Sequence, residues 1–431
     1  MIYLSESRPL VLALFSFPFT NSPNPPPPLP SQKKAGRRRM RLRGALVLLL
    51  LLCVHGGQQG AEASSDGFVR VQGTRFMLNG NPFFANGFNA YWLMSFGADP
   101  AQRSKVTSAL SQAAGSGLSV ARTWAFNDGG SNALQYSPGH YNENMFQGLD
   151  FVLSEARKYG IKVILGLVNN YDSLGGRKQY VEWARAQGQN IGSVDEFFTN
   201  PVVKGFYKNH VKTVLTRVNK LTGVAYKDDP TIMAWELMNE PRCQSDLSGR
   251  TIQSWITEMA AHVKSIDGRH LLEAGLEGFY GRASSSSPSH RAAVNPSGYL
   301  VGTDFIANNQ VPGIDFATVH SYPDQWLPGL DDASQMRRDA GYSDAQRDAM
   351  FRTVYAKVYD SARKGGSAAG ALFWQLLADG MDSYGDGYEV VLGRAPSTTG
   401  LIATQSRKLK GLARAFARAR KVQPAKGKGG N

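Results

Sequence analysis

Apolar residues recur along this chain with two periods, and the two periods take turns. Residues 68–72 and 75–78 alternate apolar with polar positions across Gly73-Thr74, which predicts an opening hairpin. Asn79-Gly80-Asn81-Pro82 then turns the chain into a first core strand at 83–88. Short apolar runs predict buried strands at 119–123, 162–168, 231–238, 271–274, 316–320 and 371–374. Between them, apolar residues three and four apart predict helices over 102–114, 145–159, 202–221, 251–266 and 344–362. A basic amphipathic helix is expected at 400–420, with Leu409, Leu412 and Phe416 on its inner side. The glycine-rich stretch 365–370 lacks the lysine of a phosphate loop and reads as a turn before the last strand.

Strands alternating with helices over such a length imply a parallel sheet covered by helices, either a barrel or a doubly wound sheet. No Gly-x-Gly-x-x-Gly opens the first helix, so a nucleotide-binding sheet loses its main support. Polar and aromatic residues instead collect just after the strand ends: Tyr91-Trp92, Trp124, Asn169-Asn170, Asn239-Glu240, Tyr280, His320-Ser321-Tyr322 and Trp374. That distribution is expected of the active face of a (β/α)8 TIM barrel. The long segment 168–200 fits a functional loop over the same face. From Phe316 to Ala371 the chain is too short for the two units that eight strands require, and between residues 324 and 342 no β-like run occurs. The sixth helix and the seventh strand are therefore expected to be deleted there, leaving the barrel incomplete.

Charge changes the picture little once it is located. The net charge is +14. Residues 1–63 carry eight Lys/Arg against Glu6 and Glu62, and residues 407–431 carry nine with no acid, so the middle of the chain is close to neutral. A nucleic-acid binder would carry its charge on the fold, so no nucleic-acid partner is expected. The basic run Arg37–Arg43, the leucine-rich segment 44–54 and Ala61-Glu62-Ala63 have the order of a secretory signal, and the apolar part is too short to span a bilayer. Met40 is a natural initiator, which makes residues 1–39 a non-native extension, 40–63 a signal peptide, 64–421 one barrel domain and 422–431 a basic disordered tail. A secreted monomer in the extracellular space or cell wall, with no stable membrane insertion after cleavage, is the expectation. With Cys53 in the signal, Cys243 is left unpaired. No His, Cys or acidic cluster has metal-ligand spacing, and no cofactor is expected.

The candidate chemistry lies at Asn239 and Glu240. They end an apolar run, and Pro241 stops the strand, so both sit at its C-terminal mouth. A glutamate there, beside an amide able to hydrogen-bond a sugar hydroxyl, suits the proton-transferring acid of a glycosidase. Other motifs join it: Val120-Ala121-Arg122-Thr123-Trp124, Leu167-Val168-Asn169-Asn170, residues 235–242, residues 275–281, residues 319–326 and Leu372-Phe373-Trp374-Gln375. Together, over residues 68–416, they make the chain resemble the plant endo-β-1,4-mannanases of glycoside hydrolase family 5, retaining enzymes built on the (β/α)8 barrel. The resemblance implies that Glu240 is the acid/base and Asn239 the ligand of the sugar 2-hydroxyl. It implies that Arg122, His320 and Tyr322 position the nucleophile, that Asn169 lines the cleft, and that Trp124, Tyr280, Trp326 and Trp374 are stacking platforms for mannosyl units. Mannan-type polysaccharide, including galactomannan and glucomannan, is the implied ligand, and its turnover in the cell wall the implied role. For Arg122 a buried ion pair within the barrel remains an open alternative.

Double displacement needs a second carboxylate about 5–5.5 Å from the first. The family carries it in a Glu-Phe-Gly element on the seventh strand, and this chain has no Glu-Phe-Gly. Glu277, Asp324 and Glu389 are the remaining candidates, and none has the expected place in the fold. The nucleophile is therefore expected to be missing. Two rivals to an active hydrolase stay open: a catalytically inactive mannan-binding protein, and a non-functional gene product.

Overall fold

The structure is a computed structural model, and it describes residues 11–15, 66–130, 132–281, 300–321 and 343–422. Expectations for the leader at 40–63, the tail beyond 422 and the segment 324–342 fall outside these residues.

β1 is Val11–Phe15. β2 (Val69–Gln72), β3 (Arg75–Leu78) and β4 (Asn81–Phe83) form an antiparallel sheet at the N-terminal end of the barrel. Asn79 and Gly80 join β3 to β4 with φ of 49° and 72°, the two positive values that a tight two-residue hairpin turn requires. Phe83 thus belongs to this small sheet, and the first barrel strand, β5, starts two residues later at Ala85 and ends at Asn89. β6 (Val120–Trp124) follows, and β7 (Gln135–Ser137) pairs with β8 (His140–Tyr141) in a hairpin above it. The remaining barrel strands are β9 (Lys162–Gly166), β10 (Ile232–Glu236), β11 (Leu271–Glu273), β12 (Ala317–Ser321) and β13 (Ala368–Phe373).

Local signals set the helices between them. Asn142 accepts from the Asn144 N–H to cap Glu143–Tyr159, and Gly160 ends that helix at φ 69°. Asn200 accepts from Val202 and Val203, with Pro201 in the first turn of Pro201–Thr216. That helix stops five residues short of the expected end, because Asn219 turns its amide onto the backbone of Leu221 and Thr222 instead. Arg103–Gly115, Arg250–Ile266, Asp344–Arg363 and Pro396–Val422 stand close to their expected positions.

The segment 168–200 is more ordered than a loop. It contains the helix Gly176–Ala186 and a 3-10 turn, Val194–Phe198, closed by a Ser193/Glu196 capping box. The glycine-rich stretch before the last strand also differs from expectation, since its second half is already β13. Small residues are needed there: a side chain at Gly370 would meet the Ala85 carbonyl oxygen at 2.2 Å.

The parallel strands follow the order β11-β10-β9-β6-β5-β13-β1-β12. The two outer strands meet where the Asp315 N–H donates to the Leu272 carbonyl (2.8 Å) and the His320 N–H to that of Glu277 (3.1 Å). Among the described residues, seven staves come from the body of the chain. The eighth place, between β12 and β13, is taken by β1, with Ala13 in register with Val319 on one side and Ala371 on the other. The architecture is thus an incomplete (β/α)8 barrel whose missing stave is replaced by a strand from far upstream. Its outer core, between strands and helices, is built on Trp92, Trp235, Trp255, Tyr207 and Phe197, all fully buried. Val69, Phe76, Ala85, Val120, Ile164 and Leu372 form a second apolar cluster with the hairpin.

Candidate active site

Glu240 lies four residues beyond the end of β10, in a left-handed backbone conformation at φ 55°. That conformation costs a glutamate on the order of 1–3 kcal/mol, and such strain persists where the surroundings fix it. They do so here. The Glu240 N–H donates to the Gly275 carbonyl (2.9 Å), while Gly275, at φ 82°, lies where any Cβ would meet the Met238 carbonyl oxygen at 1.9 Å. The carboxylate is presented to His320 on β12, whose Nδ1–H donates to Glu240 Oε1 at 2.7 Å.

Asn239 is fixed on both sides. Its Oδ1 accepts from Arg122 Nη2 (2.7 Å), and its Nδ2 donates to Asn169 Oδ1 (3.0 Å). Asn169 is held in turn by donating to the Ser173 hydroxyl (2.9 Å). One amide hydrogen and one lone pair of Asn239 remain for a ligand.

Arg122, on β6, makes the buried ion pair that stood as its alternative reading. Its guanidinium is buried and makes a two-pronged ion pair with Glu236 (Nε to Oε2 2.5 Å, Nη2 to Oε1 2.7 Å), while also reaching Asn239 and, through Nη1, Asn89 Oδ1 (3.1 Å). Glu236 and Glu273 are both fully buried inside the barrel beneath the site. Burial pushes the Glu273 carboxyl well above its ordinary range, as does the charge on Glu236; Arg122 and the Thr318 hydroxyl pull the other way.

The aromatic residues divide by exposure. Trp374 is half-buried at the mouth, with its Nε1–H donating to Asp386 Oδ2 (2.6 Å) and its ring stacked on Tyr91 at 6.0 Å. Trp124 is only 5% exposed and corrects the expectation of an open platform. It lies under the Arg122 guanidinium (4.4 Å) and beside Trp374 (6.5 Å), so it props those groups instead of presenting a free face. Tyr280 is half-buried, with its ring edge-on to Phe305. Tyr322 and Trp326 lie outside the described residues.

Sequence reasoning gave Arg242 no role and did not name Tyr171. Arg242 Nε and Nη2 bind both oxygens of Glu277 (2.8 and 2.5 Å), so that carboxylate is engaged and does not present a lone oxygen to a sugar. Burial nevertheless pushes Glu277 up to about 7, against Arg242 and with the added repulsion of Glu240. Tyr171, 39% exposed, stands against Arg242, and its hydroxyl is pushed up by burial and by the charges on Glu240 and Glu277. The charged residues Glu236 and Glu273 inside apolar strands were a legible signal, since a barrel strand interior tolerates a charge only when it is paired.

For Glu240 itself, burial raises the pKa, but the hydrogen bond and charge of His320, with Arg242 and Arg122, outweigh it, and the net shift is downward. Among the described residues no group of three or more His, Cys, Asp or Glu side chains is arranged to hold a metal.

Comparison with known proteins agrees with this geometry. The family described as GH family 5 β-mannosidase-like matches residues 66–338. Mannan endo-1,4-beta-mannosidase 1 of Oryza sativa subsp. japonica is 70% identical over 408 residues, covering 87% of this chain and 94% of that protein. Mannan endo-1,4-beta-mannosidase 7 of Arabidopsis thaliana is 58% identical over 384 residues, covering 82% and 88%. The 408 aligned positions exceed 87% of 431 residues, so the rice relative has positions for which this chain has no residue, in keeping with an internal deletion. Among solved structures, the endo-1,4-beta-mannanase of Rhizomucor miehei superposes with a TM-score of 0.66 at 30% identity, covering 80% of this chain and 99% of that one.

Proposed function

The chain belongs to the GH family 5 β-mannosidase-like family, and from that premise we propose that its cleft takes β-1,4-linked mannan, galactomannan or glucomannan, with Glu240 as the acid/base of an endo-acting retaining hydrolase. The observation that carries this reading is the joined set Glu240–His320 and Asn239–Arg122 at the barrel mouth, beside the half-buried ring of Trp374. Trp374 offers an apolar face for the C–H side of a sugar ring, Asn239 a planar partner for its hydroxyl, and Glu240 an oxygen within reach of the glycosidic bond.

The same geometry favours a second reading for this particular chain, a mannan binder with little turnover. In a retaining site the nearby anionic nucleophile raises the pKa of the acid, so that it holds a proton at working pH. Here the sequence lacks Glu-Phe-Gly, Glu277 is engaged by Arg242, and the pKa of Glu240 is lowered, so that Glu240 is ionised at neutral pH and acts as a base without its partner. Binding needs neither proton nor nucleophile. The separating experiment measures reducing ends released from mannan alongside calorimetric binding of manno-oligosaccharides. Affinity with no steady release supports the binder. Robust release that Glu240→Gln abolishes establishes the hydrolase, and Glu277→Gln then asks which carboxylate replaced the nucleophile. Absence of both refutes the mannan reading.

Secretion belongs to the same proposal. The signal-like order of residues 37–63 supports export to the extracellular space or wall as a monomer, starting at Met40 and cleaved near Ser64. N-terminal sequencing of exported protein tests it, and an intact Met1 start on retained protein would refute it.

A further inference from the structure

The helix Pro396–Val422 has an inner and an outer side, and the site described above uses neither. Inward, Leu409 and Leu412 are buried against Phe84 and Ala362, and Ser406 accepts from Asn86 Nδ2 at 2.9 Å. Outward, Arg407, Lys410, Arg414 and Arg418 are all exposed. Their spacing of three, four and four residues places them within about 80° of arc and along roughly 16 Å of one helix face. No Asp or Glu occurs after Glu389, and among the described residues none of these four cations, nor Lys408 or Arg420 beside them, is in an ion pair. Some exposed cations elsewhere have partners, such as Lys178 with Asp172 and Arg394 with Asp379 and Asp382, and others, such as Lys212 and Lys357, have none among the described residues; what sets this helix apart is four unpaired cations on one face with no acid beside them.

Two ordinary explanations fall short. The helix dipole favours cations in the last turn, which accounts for Arg418 and Arg420 but not for Arg407 and Lys410 three turns earlier. Like charges three and four apart repel along a helix and destabilise it, so the stripe is not there for the helix's own sake. At its far end Arg420 donates to Gln72 Oε1 (3.1 Å), and Arg75 stacks on Phe416 at 4.0 Å, which ties this end to the β2–β3 hairpin. That hairpin leads through β4 into the start of β5, so the stripe runs toward the N-terminal end of the barrel, opposite the mouth that holds Glu240.

We propose that the stripe Arg407, Lys410, Arg414, Arg418 is a docking surface for a carboxylated polysaccharide, an extended polyanion that anchors the protein while leaving the mannan cleft open. The row is too long for a single small anion. The near-neutral remainder of the chain argues against nucleic acid, whose binders spread positive charge over the fold. The choice of a polysaccharide rests on the mannan reading of the cleft, and the test keeps the two apart.

The test uses the full chain and immobilised polygalacturonate across a salt series. Retention should weaken as salt rises, as expected when about four bound counterions are released. The fourfold variant Arg407→Gln, Lys410→Gln, Arg414→Gln, Arg418→Gln should lose at least tenfold in affinity and most of its salt slope. A control with the same charge change, Lys178→Gln, Arg269→Gln, Arg363→Gln, Arg394→Gln, should keep both. Equal loss in the control makes the effect one of net charge and overturns the proposal. So does a wild-type chain that ignores polygalacturonate, or one that prefers duplex DNA at equal salt. Calorimetry with mannohexaose should give the same affinity in all three proteins. Polygalacturonate binding without mannohexaose binding would sink the cleft reading and leave the stripe standing.

Discussion

Replacing Arg122 by methionine tests whether the barrel interior is a balanced charge network or a set of independent contacts. The guanidinium is 2% exposed, and it neutralises Glu236, which is 0% exposed, through two hydrogen bonds of 2.5 and 2.7 Å. Its removal leaves a buried carboxylate without a partner, a change that costs about 3–5 kcal/mol. It also strips Asn239 Oδ1 and Asn89 Oδ1 of a donor, and each unsatisfied acceptor adds roughly 1–3 kcal/mol unless water enters. Since total stability is on the order of 5–15 kcal/mol, Arg122→Met should bring the protein near its threshold. Urea unfolding at pH 7 should show a large fall in midpoint at nearly constant slope. Glu273 supplies a sign check. Its folded pKa is already raised, so the native state holds the extra proton and stability is lost as pH rises through that pKa; losing the Arg122 cation raises it further. The variant should therefore be relatively less impaired at pH 5 than at pH 8. Arg122→Met/Glu236→Gln, which leaves no orphan charge, should recover part of the loss. A single mutant that loses less than about 1 kcal/mol, or a double mutant that is simply additive, would refute the network.

Three further outcomes follow from individual groups. His210 is fully buried, donating through Nε2 to the Ala125 carbonyl (3.2 Å) and accepting at Nδ1 from the Tyr141 hydroxyl (3.3 Å), and burial lowers its pKa from 6.5 to about 4. Because the unfolded chain takes the proton first, this group's contribution of about 3 kcal/mol is present above pH 6.5 and lost as pH falls toward 4; His210→Gln should flatten that slope in thermal melts. Trp374→Ala should weaken manno-oligosaccharide binding roughly tenfold by calorimetry, against less than twofold for Lys408→Ala, and equal effects would show that the ring is not a platform. Leu12→Pro removes a ladder N–H from β1, so amide exchange should accelerate at 317–321 and 368–373; unchanged protection there would mean that β1 adds nothing to the sheet.

How legible all this was depended on the range of the interactions. Helices and strands with a clear period, such as Glu143–Tyr159 and Lys162–Gly166, stand within a few residues of expectation because one buried face sets both pattern and position. The helix Gly176–Ala186 was hidden because Gly175 and Gly176, at φ 86° and 58°, read as loop, and its buried Tyr180, Val181 and Ala184 sit among charges. Residue identities at the strand ends pointed to Glu240 and His320, but their contact joins residues eighty apart and needed the barrel's closure. Trp124 illustrates the converse. Its place after a strand is the same as that of Trp374, yet Gly166 on the neighbouring strand lets it fold inward, a difference only packing reveals.

β1 is the element that sequence reasoning had least reason to find, because residues 1–39 read as lying outside the protein. Its place in the sheet ties two matters that are separate in the sequence, the lost stave and the leader. A parallel strand slot between β12 and β13 leaves two rows of backbone groups unpaired unless something fills it, and β1 does so, in register with β12 over all five residues and with β13 from Leu12 onward, after a shift at Val11. Any short apolar strand satisfies that backbone demand, but only one bearing a carboxylate would satisfy the chemistry, and Val11-Leu12-Ala13-Leu14-Phe15 bears none. The wall and the carboxylate are thus separable, and β1 fills the first without bringing an acid of its own. A chain begun at Met40 would never contain that strand, and cleavage near Ser64 would remove it from one begun at Met1. An exported chain would carry an open slot beside His320, whereas a chain that keeps its leader would carry a closed wall. Leu14 is the register partner of His320, so a full-length chain with Leu14→Glu returns a carboxylate to the stave beside the histidine that already holds Glu240. Recovery of hydrolysis in that variant would locate the defect in one missing side chain; continued silence would locate it in the geometry of the borrowed strand.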